Sequence, residues 1–236
     1  MKRKLLALFL FFSVLAGIGF YADTQPDRNV YGDTPVSYNA QEIYANTQDA
    51  VFYIRALGKN GVLKNTGTGV MISPDGTAAT AYHVVTDADK LEGIFNDGRI
   101  VTGIRVLRYD ELTDAAVLKL PLPAGKEAAY AALEIRNPAV LQGEKVFAIG
   151  YPLKQTPIIT EGIVNSPAAK INGRSVILAS AQVVSGMSGG PLIDQYGRLA
   201  GILSGSLRTM DAIHLVVGTA DLRSLLQAQA KPAAVK

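Results

Sequence analysis

Short apolar and β-branched runs, broken at regular intervals by tight-turn residues, recur along this chain, and that spacing limits its fold more than any other feature. The runs cover residues 51–56, 68–73, 77–81, 100–108 and 115–120, then 145–149, 158–165, 175–181, 191–194, 199–204 and 213–217. Between them stand Ser73-Pro74-Asp75-Gly76, Asn96-Asp97-Gly98, Asn172-Gly173 and Gln195-Tyr196-Gly197. Each ends on a glycine, which supplies the positive φ that hairpin turns use. Many short strands so joined predict an all-β chain of barrels or sandwiches and argue against βαβ units. Helix is expected over residues 40–46 as a short lead-in, and over 219–227. There Thr219 can serve as N-cap, and Leu222, Leu225 and Leu226 share one face. The Pro- and Ala-rich stretch 121–138 splits the strands into two nearly equal groups. Two β domains are therefore expected, 40–120 and 139–229, with 121–138 as their link and 230–236 as a tail.

The N-terminus carries a different message. Lys2-Arg3-Lys4 precedes an apolar run from Leu5 to Phe20, the pattern of a bacterial secretory signal over residues 1–22. The run is slightly short of the roughly 20 residues of a bilayer span. Ala16 and Ala22 are candidate cleavage positions, but Phe20 suits the site before Ala22 poorly. Cleavage and an uncleaved anchor through residues 5–20 therefore both stay open, and either exports the rest to the periplasm or beyond. A polar linker is expected over 23–39. Three of the 23 basic residues and none of the 20 acids lie in the signal, so the remainder balances at 20 of each. Such a balance offers no polybasic footprint for nucleic acid. No Cys is present, which excludes disulfides, thiol nucleophiles and Cys-based metal sites; two His leave little for a metal centre. No cofactor is expected.

Chemistry concentrates at Gly186-Met187-Ser188-Gly189-Gly190-Pro191. A serine among glycines sits on a bend that leaves its Oγ open to a close-approaching substrate. A hydroxyl is a weak nucleophile until a base takes its proton. His83, in Thr80-Ala81-Tyr82-His83 at an expected strand end, is the candidate base. An imidazole that must serve as both base and acid needs a carboxylate to fix its tautomer. Asp114, opening the apolar run after Thr113, is the candidate carboxylate. His214, within Ile213-His214-Leu215, reads as an ordinary strand residue, and Asp75, Asp97 and Asp194 read as turn residues.

The order His83, Asp114, Ser188 with Gly-x-Ser-Gly-Gly-Pro resembles the trypsin-like serine peptidases, and most of all their HtrA/DegP-like branch. Further stretches fit that branch. They are Gly67-Thr68-Gly69 through Gly76 before the histidine, Ala148-Ile149-Gly150-Tyr151-Pro152, Thr160-Glu161-Gly162, and Gly197 through Ile202. The similarity runs from about residue 40 to residue 227. It implies two perpendicular antiparallel β-barrels of chymotrypsin type with a short C-terminal helix, and a cofactor-free serine endopeptidase acting on exported or unfolded polypeptides. Carried over residue by residue, Ser188 would be the nucleophile, His83 the general base and Asp114 its orienting partner. The N–H groups of Gly186 and Ser188 would form an oxyanion hole. Leu203, Ser204, Gly205 and Ser206 would pair with an extended substrate, while Gln182, Val183 and Ala212 would line the pocket for a small or medium aliphatic side chain. Relatives often form trimers through N-terminal segments, for which residues 23–50 are the candidate here.

Several departures from the family pattern stand out. Gln182 falls where trypsins place a pocket acid, so Arg/Lys preference is not expected. Met187 replaces the Asp that receives a freed N-terminus in many trypsins, and Tyr82 replaces a small residue or Asn before the histidine, a change expected to affect packing alone. No PDZ domain is expected after residue 227. The alternative from another class is a protease-fold module that binds extended peptides without cutting them; an esterase using the same triad is a third reading.

Overall fold

The structure is a computed structural model that describes residues 36–123, 129–154, 156–207, 210 and 212–228. The expected signal over 1–22, most of the linker over 23–39 and the tail over 230–236 lie outside the described residues. The first described element is α1 (Ala40–Thr47), closed by a capping box. Glu42 N–H donates to Asn39 Oδ1 at 3.0 Å while Asn39 N–H donates to Glu42 Oε2 at 2.8 Å.

A first β module follows. Its strands are β1 (Val51–Leu57), β2 (Leu63–Met71), β3 (Thr77–Ala81), β4 (Lys90–Phe95), β5 (Ile100–Val101), β6 (Arg105–Asp110) and β7 (Ala115–Lys119). They form one seven-stranded antiparallel sheet in the order β5-β4-β1-β2-β3-β7-β6. The sheet curls into a half-barrel, and its two ends, β5 and β6, are not paired with each other. With two residues, β5 is too short to complete a ladder. Strand β4 has no counterpart among the expected runs, and the expected run 100–108 divides into β5 and β6.

The second module closes fully. Strands β8 (Lys145–Leu153), β9 (Thr156–Ile171), β10 (Arg174–Ala179), β11 (Pro191–Asp194), β12 (Leu199–Ser206) and β13 (His214–Gly218) form a six-stranded barrel in the order β10-β13-β12-β11-β8-β9. Closure pairs each strand with a neighbour on both sides over part of its length. Strand β8 reads as a continuous apolar run because both of its faces are covered. Val146 and Ala148 fill the barrel, while Phe147, Ile149 and Tyr151 join the core of the first module. Successive strand side chains point to opposite faces, so one strand serves two cores. Burying each large side chain contributes about 1.5–3 kcal/mol to holding the modules together.

The C-terminal helix α3 (Thr219–Gln227) has the expected bounds. Its N-cap is Gly218, without a side-chain bond, rather than Thr219. Leu222 and Leu225 are buried in the first module's cluster, although the helix follows β13 of the second, so it straddles both modules. The expected pair of barrels is thus a half-barrel sheet and a closed barrel, mostly β, with the helix at the end.

Candidate active site

Strand pairing alone brings two of the expected residues together. In the β3–β7 ladder Ala81 faces Ala115, so the residues just after β3 meet the residue just before β7. The chain after β3 turns at once into the short helix α2 (Tyr82–Val85), and His83 lies on this helix rather than at a strand end. Helix α2 has no side-chain cap of its own. Asp114 supplies one from outside: its carbonyl accepts Tyr82 N–H at 3.1 Å, and its Oδ1 accepts His83 N–H at 3.0 Å. Asp114 holds φ 61°, a left-handed conformation that Asp tolerates better than most residues. Asn65 Nδ2 donates to the His83 carbonyl at 2.8 Å, and Tyr82 stacks on Tyr109 of β6 with centroids 4.6 Å apart. Tyr82 therefore ties α2 to the sheet.

The His83 ring faces the same carboxylate. Its Nδ1 lies 2.9 Å from Asp114 Oδ2 and 3.1 Å from Oδ1. An ionised carboxylate only accepts, which assigns the proton to Nδ1 and leaves Nε2 as the basic nitrogen. Ser204 Oγ donates to Asp114 Oδ2 at 2.6 Å. Burial opposes ionisation of Asp114, but the hydrogen bonds from the His83 ring, Ser204 and the His83 backbone outweigh it. They hold the carboxyl below its ordinary value. The Asp114 side chain is 15% exposed and that of His83 43%, so the carboxylate is sheltered while the ring remains open to a substrate.

Ser188 stands before β11 on a loop bound to the first module. Thr68, fully buried on β2, organises this docking. Its N–H donates to the Ser188 carbonyl at 2.8 Å, and its hydroxyl donates to the Gly186 carbonyl at 2.8 Å. The hydroxyl also accepts Tyr151 N–H at 3.0 Å, and the Thr68 carbonyl accepts the Thr80 hydroxyl at 2.7 Å. Thr68 thus links the serine loop, β8 and the strand that leads to His83. At Gly67 an added Cβ would lie 2.9 Å from the Ser188 carbonyl oxygen and 2.6 Å from the Val84 methyls, so the Ser188 backbone packs beside α2. Among the described residues, no hydrogen bond joins Ser188 Oγ to the His83 ring.

The amides of the loop divide into two sets. Met187 N–H bonds the Val184 carbonyl at 3.0 Å, Gly189 N–H the Leu203 carbonyl at 2.7 Å, and Gly190 N–H the Met187 carbonyl at 2.9 Å. Those of Gly186 and Ser188 have no acceptor among the described residues. Gly186 has φ 93°, and a Cβ there would lie 2.7 Å from the Tyr151 carbonyl oxygen, so the loop conformation requires glycine. Two free N–H groups on either side of Met187, one of them on the serine itself, can hold an oxyanion.

Of the remaining expected residues, Leu203 bonds the serine loop and Ser204 bonds Asp114. Leu203 is buried, and both of its backbone groups bond the serine loop: its carbonyl accepts Gly189 N–H, and its N–H donates to the Gly190 carbonyl at 2.9 Å. Gly205 has open space where a side chain would be. Gln182 and Ala212 are exposed, whereas Val183 is buried. Two further polar residues, outside the expected set, bond to these elements. His214 is 2% exposed; it accepts Val183 N–H on Nε2 at 3.2 Å and lies 2.9 Å from Ser206 Oγ through Nδ1. Arg174 of β10 donates to the Thr113 carbonyl at 2.9 Å and to Ser204 Oγ at 3.3 Å. A lone histidine in an apolar strand and an arginine after an Asn-Gly turn carry no sequence signal for either role. Among the described residues, no group of three or more His, Cys, Asp or Glu side chains could hold a metal ion.

Known proteins share this sequence pattern and fold. A family profile described as a trypsin-like peptidase domain matches residues 67–202, more than half of the chain. The serine endoprotease DegS of Escherichia coli is 33% identical over 185 residues, which are 75% of this chain and 51% of DegS. A protein of Brucella suis named as a probable periplasmic serine endoprotease, DegP-like, is 35% identical over 139 residues, 58% of this chain and 26% of that protein. The crystal structure of a serine endoprotease from Yersinia pestis superposes with a TM-score of 0.69 at 27% identity, covering 81% of this chain and 66% of that one. The chain thus spans about half or less of the length of these curated relatives. With the profile running from Gly67 of β2 through the Ser188 loop to Ile202 of β12, the chain belongs to the trypsin-like peptidase family.

Proposed function

We propose that this chain is a serine endopeptidase that cleaves exported or unfolded polypeptides outside the cytoplasm. The observation that carries the reading is the conjunction of the Asp114–His83 Nδ1 bond with free amides at Gly186 and Ser188 on either side of Met187. In the reaction, Ser188 Oγ attacks the scissile carbonyl carbon while His83 Nε2 takes the hydroxyl proton. The carbonyl oxygen becomes an oxyanion held by the two amides, each donor being worth about 3 kcal/mol in the transition state. Asp114 stabilises the imidazolium. Collapse breaks the C–N bond, and His83 returns the proton to the leaving amine. Water then attacks the acyl-Ser188 ester with His83 again as base, releasing the acid and restoring the hydroxyl. The basic-then-apolar segment at residues 1–22 and the periplasmic naming of the Brucella relative support an extracytoplasmic site of action.

The missing bond between Ser188 Oγ and His83 favours a second reading, a module that captures extended peptides without cutting them. In resting enzymes this bond is often long and tightens only with substrate bound. A fluorophosphonate probe separates the two. Stoichiometric labelling at Ser188, with casein cleavage abolished in Ser188→Ala, is the expected result. A folded protein that stays unlabelled would establish the binding module instead.

A further inference from the structure

His214, which looks structural in the sequence, bonds the chain that leads into the serine loop. Resting on the peptidase reading above, an acyl carbon bonded to Ser188 Oγ, with its oxygen on the amides of Gly186 and Ser188, fixes where the neighbouring substrate side chain points. Strand β11 pairs with β12 only through Leu199, Gly201 and Ile202, and the serine loop occupies Leu203. Residues 204–206 therefore keep a free edge along which a peptide backbone can lie. A substrate on that edge sends its side chain between two walls, residues 182–184 leading into the serine loop and residues 204–206 of β12.

His214 bridges those walls. Its Nε2 accepts Val183 N–H at 3.2 Å from one wall, and its Nδ1 meets Ser206 Oγ at 2.9 Å on the other. Because Nε2 accepts, the ring is neutral with its proton on Nδ1, donated to Ser206. The ring is 2% exposed, and Val183, Met187 and Leu203 of the surrounding apolar cluster are buried too. The space between the walls is thus filled by an uncharged, fully hydrogen-bonded ring. We infer that His214 is the specificity-determining residue of this site, closing the pocket so that the residue on the acyl side of the scissile bond must be small and uncharged, such as Ala or Val. A larger side chain would have to displace a ring bonded on both sides. A charged one would meet no counter-ion among the ring's partners.

The test uses peptidyl diphenyl phosphonates that differ only in the side chain next to phosphorus, with attachment to Ser188 followed by intact mass. The wild type should react at least about tenfold faster with the alanyl and valyl probes than with the leucyl and phenylalanyl ones, the discrimination that pocket filling typically gives. His214→Gly should reverse that order. A melting curve checks that this variant folds, and His214→Ser serves as the second, hydrogen-bonding replacement. Equal or faster reaction of the wild type with the bulky probes overturns the inference while leaving the peptidase intact. So does an unchanged preference for small probes in folded His214→Gly or His214→Ser. If neither the peptidyl probes nor a plain fluorophosphonate labels Ser188, the peptidase reading fails, and the pocket assignment falls with it.

Discussion

Ser204 Oγ donates to Asp114 Oδ2 at 2.6 Å across the seam between the two β modules. The acceptor opens β7 of the half-barrel, and the donor stands on β12 of the closed barrel. Arg174 completes the link by donating to Ser204 Oγ at 3.3 Å and to the Thr113 carbonyl at 2.9 Å. A hydroxyl has one proton to give. With a guanidinium N–H already directed at its oxygen, Ser204 is left to give that proton to Asp114. The carboxylate that orients His83 is itself oriented from the opposite module.

Removing this donor should weaken the site without dismantling it. Ser204→Ala should slow fluorophosphonate labelling of Ser188 by about tenfold or more, since a hydrogen bond to a charged group contributes about 1.5–3 kcal/mol. Arg174→Met should act in the same direction and less strongly. A small phosphonylating probe avoids confusion with lost peptide contacts on β12. The stability cost carries a sign. The Asp114 carboxyl is depressed, so its bonds stabilise the fold above the unfolded carboxylate range, and that gain disappears as pH falls through the folded one. The deficit of Ser204→Ala should therefore be present at neutral pH and shrink on acidification. An unchanged labelling rate would remove Ser204 from the orienting chain.

Thr68 should control the oxyanion amides through the serine loop. Thr68→Val keeps the shape but leaves the Gly186 carbonyl and Tyr151 N–H without their partner, at a cost of about 1–3 kcal/mol in stability. Turnover should fall by about tenfold to a hundredfold with KM little changed, because losing one oxyanion donor altogether costs 10²–10³. Thr68→Ser should restore most of it. Equal kcat in all three proteins would show that the loop holds its shape without the hydroxyl.

Much of this arrangement was legible in the sequence, for identifiable reasons. Runs such as 77–81 and 191–194 became strands with the expected bounds because alternation and turn glycines act locally. His83 and Asp114, 31 residues apart in the sequence, were readable as a candidate pair, and the structure joins them through the His83 Nδ1. What was not legible depends on contacts between residues far apart in the sequence. Helix α2 has no cap signal of its own, since its cap arrives from Asp114, 31 residues downstream of His83. Strand β4 contains Lys90, Glu92 and Gly93 and lacks an apolar run, and only its place beside β1 makes it a strand. The half-open state of the first sheet follows from the two-residue β5, which no local pattern announces. Thr68 sits in a recognised Gly-Thr-Gly segment, yet nothing local reveals that its hydroxyl reaches Gly186, 118 residues away.

Phe147 tests the seam itself. It is fully buried on the outward face of β8, in the core shared with the first module, whereas its neighbours Val146 and Ala148 face the barrel interior. Phe147→Ala should destabilise the protein by about 3–5 kcal/mol in urea unfolding. It should also slow labelling of Ser188, because the serine loop is bound to the half-barrel across this seam. Val146→Ala, a barrel-interior change, should lower stability with less effect on labelling. Equal slowing in the two variants would mean that the seam transmits nothing particular to the site.

His214 gives the fold a second pH dependence, opposite in origin to that of Asp114. Burial disfavours the imidazolium and pulls the His214 pKa below its ordinary value. Between the folded and unfolded values the unfolded chain binds more protons, so stability rises with pH there. The gain is complete above the unfolded histidine range, about 6.5, and is lost as pH falls through the window beneath it. Protonation at Nε2 would also set a new N–H against the Val183 N–H that now donates to it. His214→Gln offers an acceptor to Val183 and a donor to Ser206 without titrating. Thermal midpoints measured from pH 7 down to pH 5 should therefore fall more steeply for the wild type than for His214→Gln. Parallel curves would show that the ring binds protons equally in the folded and unfolded chain throughout this range, and the acid sensitivity would have to lie elsewhere.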